Sequence, residues 1–180
     1  GGGDSDFMDE DASAFPAIAK AHCAHGTTAL CPTTMTCADS LLEKTIDLFL
    51  EADKEPENGA ELLGLHLEGP YFSAASKGAQ PIGEQRIPER EDLERILRRA
   101  KGSILRWDAA PELPNMELFA KVMAENGVLT SLAHSAATAP EALRAFDWGF
   151  SHVTHFYNAC TTFHKKNGLV YSGIVEATYL

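Results

Sequence analysis

Apolar residues recur at helical spacing in five stretches of this 180-residue chain, and shorter apolar runs lie between those stretches. The helical spacing predicts helices over residues 13–25, 39–52, 91–101, 116–126 and, after Thr138, up to residue 148. The shorter runs predict strands over residues 27–31, 62–67, 104–109, 128–133 and 152–154. Strands and helices therefore alternate along the chain.

This alternation indicates the fold class. Parallel strands need a long crossover between them, and a helix of three turns supplies one. We expect an α/β fold with a parallel sheet in a single domain, because the sequence contains no repeat, low-complexity tract or linker. The longest irregular segment, residues 72–88, is rich in Gly, Ser and Pro, which is typical of a functional or mobile loop.

Composition and charge narrow the classes of function. A hydrophobic content of 44% with 8% aromatic residues is ordinary for a globular domain. The formal net charge of -11 argues against binding to nucleic acid or to an anionic membrane surface, since both need clustered Lys and Arg. A small anionic ligand would need a local basic pocket, for which the lysines in polar loops are Lys77, Lys165 and Lys166.

The chain shows no sign of a membrane span or a secretory leader, so we expect a cytoplasmic protein. Its four cysteines include no Cys-x-x-Cys pair, and we expect reduced thiols rather than a zinc ribbon or a redox motif. The opening Gly1-Gly2-Gly3 has no initiator Met, which is typical of an expression remnant or of the interior of a longer protein.

Acidic and imidazole side chains lie at the ends of three predicted strands. Glu68 follows one strand, His134 follows another, and His152 and His155 bracket a third. The carboxyl ends of parallel strands meet at one edge of a sheet, where ligands of α/β proteins bind. A Glu and two His at that edge suit a divalent metal such as zinc, with an open position for water.

The alternative is that each of these residues is an ordinary polar side chain at a strand end without a functional role. For any single residue this alternative is the better interpretation. The sequence also contains no compact His-Glu-x-x-His metal-binding motif. Three strands that deliver Glu or His to one edge favour the metal site. His66 lies on the same side of its strand as Glu68, and we expect it to be hydrogen-bonded or to support the ligands rather than to be one.

Four motifs in order carry a resemblance to a known family: the opening "GGGDSDFMDED", then "HLEGPYF", "AHSAAT" and "THFYNA". With them the sequence closely resembles the N-acetylglucosamine-6-phosphate deacetylases of the amidohydrolase superfamily, from Gly1 to Leu180. The resemblance implies a metal-dependent (β/α)₈ TIM barrel. Residues 1–180 would be the central part of the barrel domain, with about five of its β/α units and without the terminal β-sandwich of the family.

The resemblance also implies an activity, namely hydrolysis of the acetamide of N-acetylglucosamine 6-phosphate to glucosamine 6-phosphate and acetate. It implies that Glu68, His134 and His155 bind a divalent metal. Zinc is the first expectation, and iron, cobalt, nickel and manganese are the alternatives. The substrate-binding residues that it implies are Gln80, Asn158, Ala159, His164 and Lys165.

The sequence departs from the family pattern at several of these positions. Gln80 stands where many members carry a substrate-contacting His, and Ala136 replaces the Asp of a His-Ser-Asp-Ala-Thr segment. Lys165, in "HKKNG", falls near the phosphate-binding Arg of an Arg-Glu-Pro-Gly segment. Lys binds phosphate as a point charge, whereas Arg binds it through two parallel hydrogen bonds.

Two further features of the family would lie outside the chain. The His-x-His of the first barrel strand would precede Gly1, and the general-base Asp would follow Leu180, so we expect no general base within the chain and no activity from the chain alone. For the full enzyme the resemblance implies a small amino-sugar phosphate as substrate and a homodimer. The alternatives are a non-catalytic module that binds metal or sugar phosphate, and another amidohydrolase that acts on a cyclic amide.

Overall fold

The computed structural model describes residues 1–81 and 83–180. Its helices are α1 Ala14–Cys23, α2 Asp39–Glu51, α3 Arg90–Ala100, α4 Met116–Glu125, α5 Ala139–Trp148 and α6 Ile174–Ala177. Its strands are β1 Ala29–Leu30, β2 Thr33–Thr34, β3 Glu61–Leu62, β4 Leu65–Glu68, β5 Ile104–Ala109, β6 Leu129–Leu132, β7 His152–Val153, β8 His164–Lys166 and β9 Leu169–Tyr171. The predicted α/β class is therefore confirmed.

The main sheet has five parallel strands in the order β2-β4-β5-β6-β7. Each strand lies beside the strand that follows it in the sheet's own sequence order, without the reversal that marks a doubly wound sheet. This order is that of consecutive β/α units in a barrel. The register sets Glu68 of β4 directly beside Asp108 of β5, and both lie at the carboxyl end of their strands.

Two of the predicted strands differ from those in the structure. The strand predicted over residues 27–31 is present as β1, but it pairs with β3 in a separate small sheet, and the main sheet begins with β2, which no predicted strand covers. Pro32 separates β1 from β2, since it has no N–H to donate to a ladder. The predicted strand 62–67 is broken at Gly64, whose φ of 155° lies outside the range of other residues.

The helices follow their predicted positions closely, with bounds that differ by at most two residues at either end. Helix α3 buries Leu93, Ile96, Leu97 and Ala100, which lie on one face at helical spacing. Helix α5 begins with a capping box between Thr138 and Glu141. The sequence-based prediction missed helix α6, a 3₁₀ turn at residues 74–76 and the antiparallel hairpin β8–β9.

The core lies between the outer face of the sheet and the helices. Trp107 of β5 is fully buried and packs edge-to-face on Phe119 of α4. Its indole N–H donates a hydrogen bond of 2.9 Å to the carbonyl of Gly69, directly after Glu68. In the part of the chain that the structure describes, no helix is long and apolar enough to cross a membrane.

Candidate metal centre

Glu68 is the last residue of β4 and is largely buried, on the inner side of the sheet. The chain turns away directly after it, through Gly69, whose φ is 97°, and a cis peptide bond to Pro70. The indole N–H of Trp107 donates a hydrogen bond to the Gly69 carbonyl. This hydrogen bond restrains the backbone directly after Glu68.

The two histidines follow strands β6 and β7 and reach the same place. Nε2 of His134 lies 2.9 Å from Oε1 of Glu68, and Nε2 of His155 contacts the same oxygen. The three ligand atoms all lie within 4.8 Å of one another. His134 is buried, whereas the side chain of His155 is 39% exposed, so the group opens to solvent on one side.

The hydrogen-bond partners of His134 indicate which of its ring nitrogens carry a proton. Its Nδ1 lies 3.1 Å from the carbonyl oxygen of Ser76, which can only accept, so Nδ1 carries a proton. In the absence of a cation Nε2 also faces an acceptor, Glu68. Burial favours the neutral ring, but the hydrogen bonds to Glu68 and Ser76 outweigh it and raise the pKa of His134. Burial likewise opposes ionisation of Glu68, yet the hydrogen bonds from His134 and His155 lower the pKa of its carboxyl group.

The arrangement fits a divalent cation. Ligand atoms around tetrahedral zinc lie roughly 3.3 Å apart when the bonds are near 2.0–2.1 Å, and the present separation of 2.9 Å between Glu68 and His134 is close to that value. With Nδ1 of His134 donating to Ser76, the lone pair of Nε2 is directed at the centre of the group, as in most histidine-metal sites. A cation there would take the place of the shared protons.

A cavity of about 410 Å³ opens directly over these ligands. Its lining comprises Met35, Glu68, Gly78, Ala79, Gln80, His134, His155, Asn158 and Ala159. Gln80 is buried, and its carbonyl oxygen accepts a hydrogen bond of 2.8 Å from the backbone N–H of Thr36. The size is within the range of small-molecule sites, which is roughly 300–1,000 Å³.

The other residues with predicted roles lie elsewhere. His164 and Lys165 belong to the hairpin β8–β9 and do not line this cavity, and the side chain of Lys165 is exposed. His152 is also apart from the ligands, because its Nε2 lies 3.1 Å from Nη1 of Arg106. Of the residues predicted to bind substrate, the structure brings Gln80, Asn158 and Ala159 into one cavity with Glu68, His134 and His155 and leaves the hairpin residues outside.

His66 lies in a cluster with Arg106 and Asp108, in which His66 and Asp108 are buried and Arg106 is partly exposed. Its Nδ1 accepts a hydrogen bond of 2.9 Å from Arg106, which places its proton on Nε2, 2.9 Å from the carboxylate of Asp108. Asp108 is fully buried. The sequence reasoning missed Asp108 and Arg106, although Asp108 lies one residue before the end of the predicted strand 104–109, close to the sheet edge that carries Glu68.

Comparison with known proteins gives related sequences and folds. The chain is 33% identical over 157 residues to an N-acetylglucosamine-6-phosphate deacetylase of Lysinibacillus sphaericus, which is 83% of this chain and 39% of that protein. It is 29% identical over 177 residues to an N-acetylgalactosamine-6-phosphate deacetylase of Escherichia coli O157:H7, covering 98% of this chain and 47% of that protein. The search against family models found no match.

Solved structures show the same architecture. A crystal structure of N-acetyl-D-glucosamine-6-phosphate deacetylase from Mycobacterium smegmatis superposes with a TM-score of 0.87 at 25% identity, over 98% of this chain and 45% of that chain. The fold is therefore that of a TIM-barrel amidohydrolase in part. The chain spans less than half the length of these relatives.

Proposed function

We infer that this chain, which belongs to the N-acetylglucosamine-6-phosphate deacetylase family, forms the metal-binding part of an enzyme that removes the acetyl group from an N-acetylhexosamine 6-phosphate. The observation that carries this proposal is the convergence of Glu68, His134 and His155 at one sheet edge, under an open cavity. A purely structural histidine pair would not need an opening of that size above it. Residues 1–180 are then the central part of the barrel domain.

Each of the three residues would contribute one ligand atom to a divalent ion. Glu68 supplies a negative oxygen, while His134 and His155 supply neutral nitrogens, a set that suits zinc and also accepts iron, cobalt, nickel or manganese. Such an ion lowers the pKa of water towards 7 and withdraws electrons from an amide carbonyl. The hydrogen bond from His134 to Ser76 fixes the ring plane, so that the ligand is oriented before the ion arrives.

The cavity lining would bind the sugar. Gln80 is held by Thr36 through its carbonyl oxygen, which leaves its amide N–H₂ to donate to a sugar hydroxyl or an acetamide oxygen. Asn158 and Ala159 line the same cavity beside His155. Hydrolysis then adds water across the acetamide C–N bond, and the products are the free amino sugar phosphate and acetate.

Recognition of the phosphate is proposed for the hairpin that carries His164 and Lys165. An acidic protein with a net charge of -11 must offer a dianionic sugar a local positive site, and Lys165 is an exposed cation in the segment that follows Ala159. Because these residues lie outside the cavity of this chain, the proposal requires that the hairpin reach a bound sugar in the whole protein.

By resemblance to its family, the whole protein would be a homodimer. A cytoplasmic location would suit an enzyme of amino-sugar catabolism.

A second candidate substrate is N-acetylgalactosamine 6-phosphate, because one relative that matches 98% of this chain carries that name. The two sugars differ only in the configuration of one hydroxyl group. A few hydrogen bonds from the cavity lining would decide between them.

The test is acetate release by the intact protein that contains these residues, with both N-acetylhexosamine 6-phosphates as substrates. We expect turnover that disappears after treatment with a chelator and returns when a divalent metal is added. Turnover that resists complete removal of metal would contradict the proposal. Binding of sugar phosphate without acetate release would instead favour a non-catalytic binding module.

A further inference from the structure

The loop after β5 reaches over to the turn that carries His134. Both carboxylate oxygens of Glu112 accept hydrogen bonds from this turn: Oε1 from the backbone N–H of Ala136 and Oε2 from the hydroxyl of Ser135, each at 2.6 Å. Glu112 therefore fastens the two residues that follow His134.

The turn needs such support because its backbone is unusual. His134 has a φ of 46°, a left-handed conformation that residues other than glycine seldom adopt. Ser135 is fully buried, and its hydroxyl, besides donating to Glu112, accepts a hydrogen bond of 3.0 Å from the backbone N–H of Ala137. A backbone held in a sparsely populated region persists only when its surroundings determine it.

The same turn also joins two other loops at this edge. The carbonyl of His134 accepts a hydrogen bond of 2.9 Å from the N–H of Ser73, and the N–H of Ser135 donates one of 3.1 Å to the carbonyl of Ala159. The loops that follow β4, β5 and β7 thus all meet at the turn that follows β6. Of these contacts, Glu112 is the one made by a charged side chain.

The side chain of Ala136 has no polar atom with which to bond to the backbone of its own turn, as Asp and Asn side chains often do. The observed acceptor of the Ala136 N–H is the carboxylate of Glu112, from the neighbouring loop.

We propose that Glu112 is a positioning residue for the metal centre, which holds the His134 turn so that Nε2 of the imidazole is directed at Glu68. This inference rests on the proposed metal-binding function of His134. Glu112 does not touch the reacting atoms and acts through Ser135 and Ala136. The competing view is that Glu112 only stabilises the fold, so that its loss lowers the free energy of unfolding without changing the metal site.

The test compares Glu112→Gln with wild type in the intact protein. The amide replaces one of the two acceptors with a donor, so it can no longer accept from both Ser135 and Ala136. Glu117→Gln is the matched control, because Glu117 is an exposed residue on α4 that makes the same chemical change away from the site. Ser135→Ala removes the hydroxyl that donates to Glu112 and accepts from the N–H of Ala137, and it is the second variant in case Glu112→Gln does not fold.

The measurements are the dissociation constant of Co²⁺, by competition with a chelator, and the visible absorption spectrum of the Co²⁺ form. We expect Glu112→Gln to bind Co²⁺ about 10–100-fold more weakly, the usual cost of losing an outer partner of a metal ligand, and to shift the spectrum. Ser135→Ala should show a smaller effect of the same kind. Glu117→Gln should match the wild type.

The outcomes separate the two proposals. If wild type binds Co²⁺ and Glu112→Gln binds it equally well with an unchanged spectrum, the positioning role is overturned while the metal site stands, even if the melting temperature falls. If Glu112→Gln does not fold, an unchanged affinity and spectrum in Ser135→Ala overturn the role in the same way. If wild type itself binds no divalent metal, the proposed function and this inference both fail.

Discussion

Nε2 of His134 lies 2.9 Å from Oε1 of Glu68, although 66 residues separate the two in the chain. Both follow strands of one parallel sheet, and the carboxyl ends of those strands bring them together. The pair is buried, so its charges must be balanced by each other, by protons or by a cation. Its chemistry can be tested through metal binding and through pH.

Replacing Glu68 with glutamine should abolish the metal site with little change in shape. The amide keeps the size of the side chain and removes the negative oxygen. Loss of an outer partner typically weakens metal binding about 10–100-fold, and we expect loss of this direct ligand to exceed that range. The dissociation constant is measured by competition with a chromogenic chelator. Glu61→Gln, at an exposed position in β3, is the matched control, and equal affinities in the two variants would disprove the assignment.

The metal-free protein should be most stable at mildly acidic pH. A raised folded pKa of His134 contributes stability that is fully present below its unfolded value of 6.5 and is lost as the pH rises through the folded pKa. A lowered folded pKa of Glu68 contributes stability that is present above its unfolded value of 4.5 and is lost as the pH falls through the folded pKa. The two contributions are therefore both complete between these unfolded values.

Urea denaturation of the metal-free protein checks this dependence, at about pH 5.5 and about pH 8. We expect the higher midpoint at the lower pH, and a smaller difference in His134→Gln. His25→Gln, which changes an exposed histidine, should retain the wild-type difference. If the midpoint of the wild type falls between the lower and the higher pH by no more than that of His134→Gln, the coupling of the pair is refuted.

Replacing Lys165 with alanine should impair phosphate recognition selectively. We expect the KM for an N-acetylhexosamine 6-phosphate to rise about tenfold or more, because one charge-assisted hydrogen bond contributes roughly 1.5–3 kcal/mol. The KM for the sugar without phosphate should change little. Lys121→Ala, an exposed lysine on α4, serves as the control. Equal changes for both sugars would show that Lys165 does not contact the phosphate.

Replacing Trp107 with phenylalanine should destabilise the fold beneath Glu68. The change removes the 2.9 Å hydrogen bond to the Gly69 carbonyl and leaves that buried acceptor without its partner, at a cost of about 1–3 kcal/mol in unfolding free energy. Trp148→Phe, at a half-buried tryptophan at the end of α5, should cost less. Chemical denaturation of both variants measures the difference, and similar losses would mean that the hydrogen bond contributes little.

The helices were predictable because their signals are local. Helix α5 has a capping residue at Thr138 and ends at Gly149, which adopts a φ of 109°. Helix bounds were therefore within two residues of the structure. The hairpin β8–β9 was missed although Asn167-Gly168, with φ values of 53° and 80°, is a recognised hairpin turn and could have indicated it.

The strands were less predictable, because pairing is not a local property. The short apolar run before Pro32 has the composition of a buried strand, yet it pairs with β3 outside the main sheet. The apolar run over residues 62–67 is divided at Gly64 into the separate strands β3 and β4. Composition indicated part of the extended chain, without β2, β8 and β9, and did not show which neighbour each strand would pair with.

For the site, strand ends that share one edge of a parallel sheet indicated Glu68, His134 and a histidine beside the strand at residues 152–154, and the family resemblance selected His155 rather than His152. Glu112 could not be recognised in this way. Its importance comes from two hydrogen bonds to a turn more than 20 residues further along the chain, which only the tertiary fold brings within reach. Asp108 was missed although it lies beside Glu68 in the sheet, one residue before the end of β5.

The central claim is that Glu68, His134 and His155 share one divalent ion, and anomalous X-ray diffraction from crystals of the zinc-loaded intact protein tests it most directly. We expect a single strong anomalous peak about 2.0–2.2 Å from a carboxylate oxygen of Glu68 and about 2.0–2.1 Å from Nε2 of both histidines. A zinc-loaded crystal with the peak elsewhere, or with a peak that only one of the three residues reaches, would contradict the account.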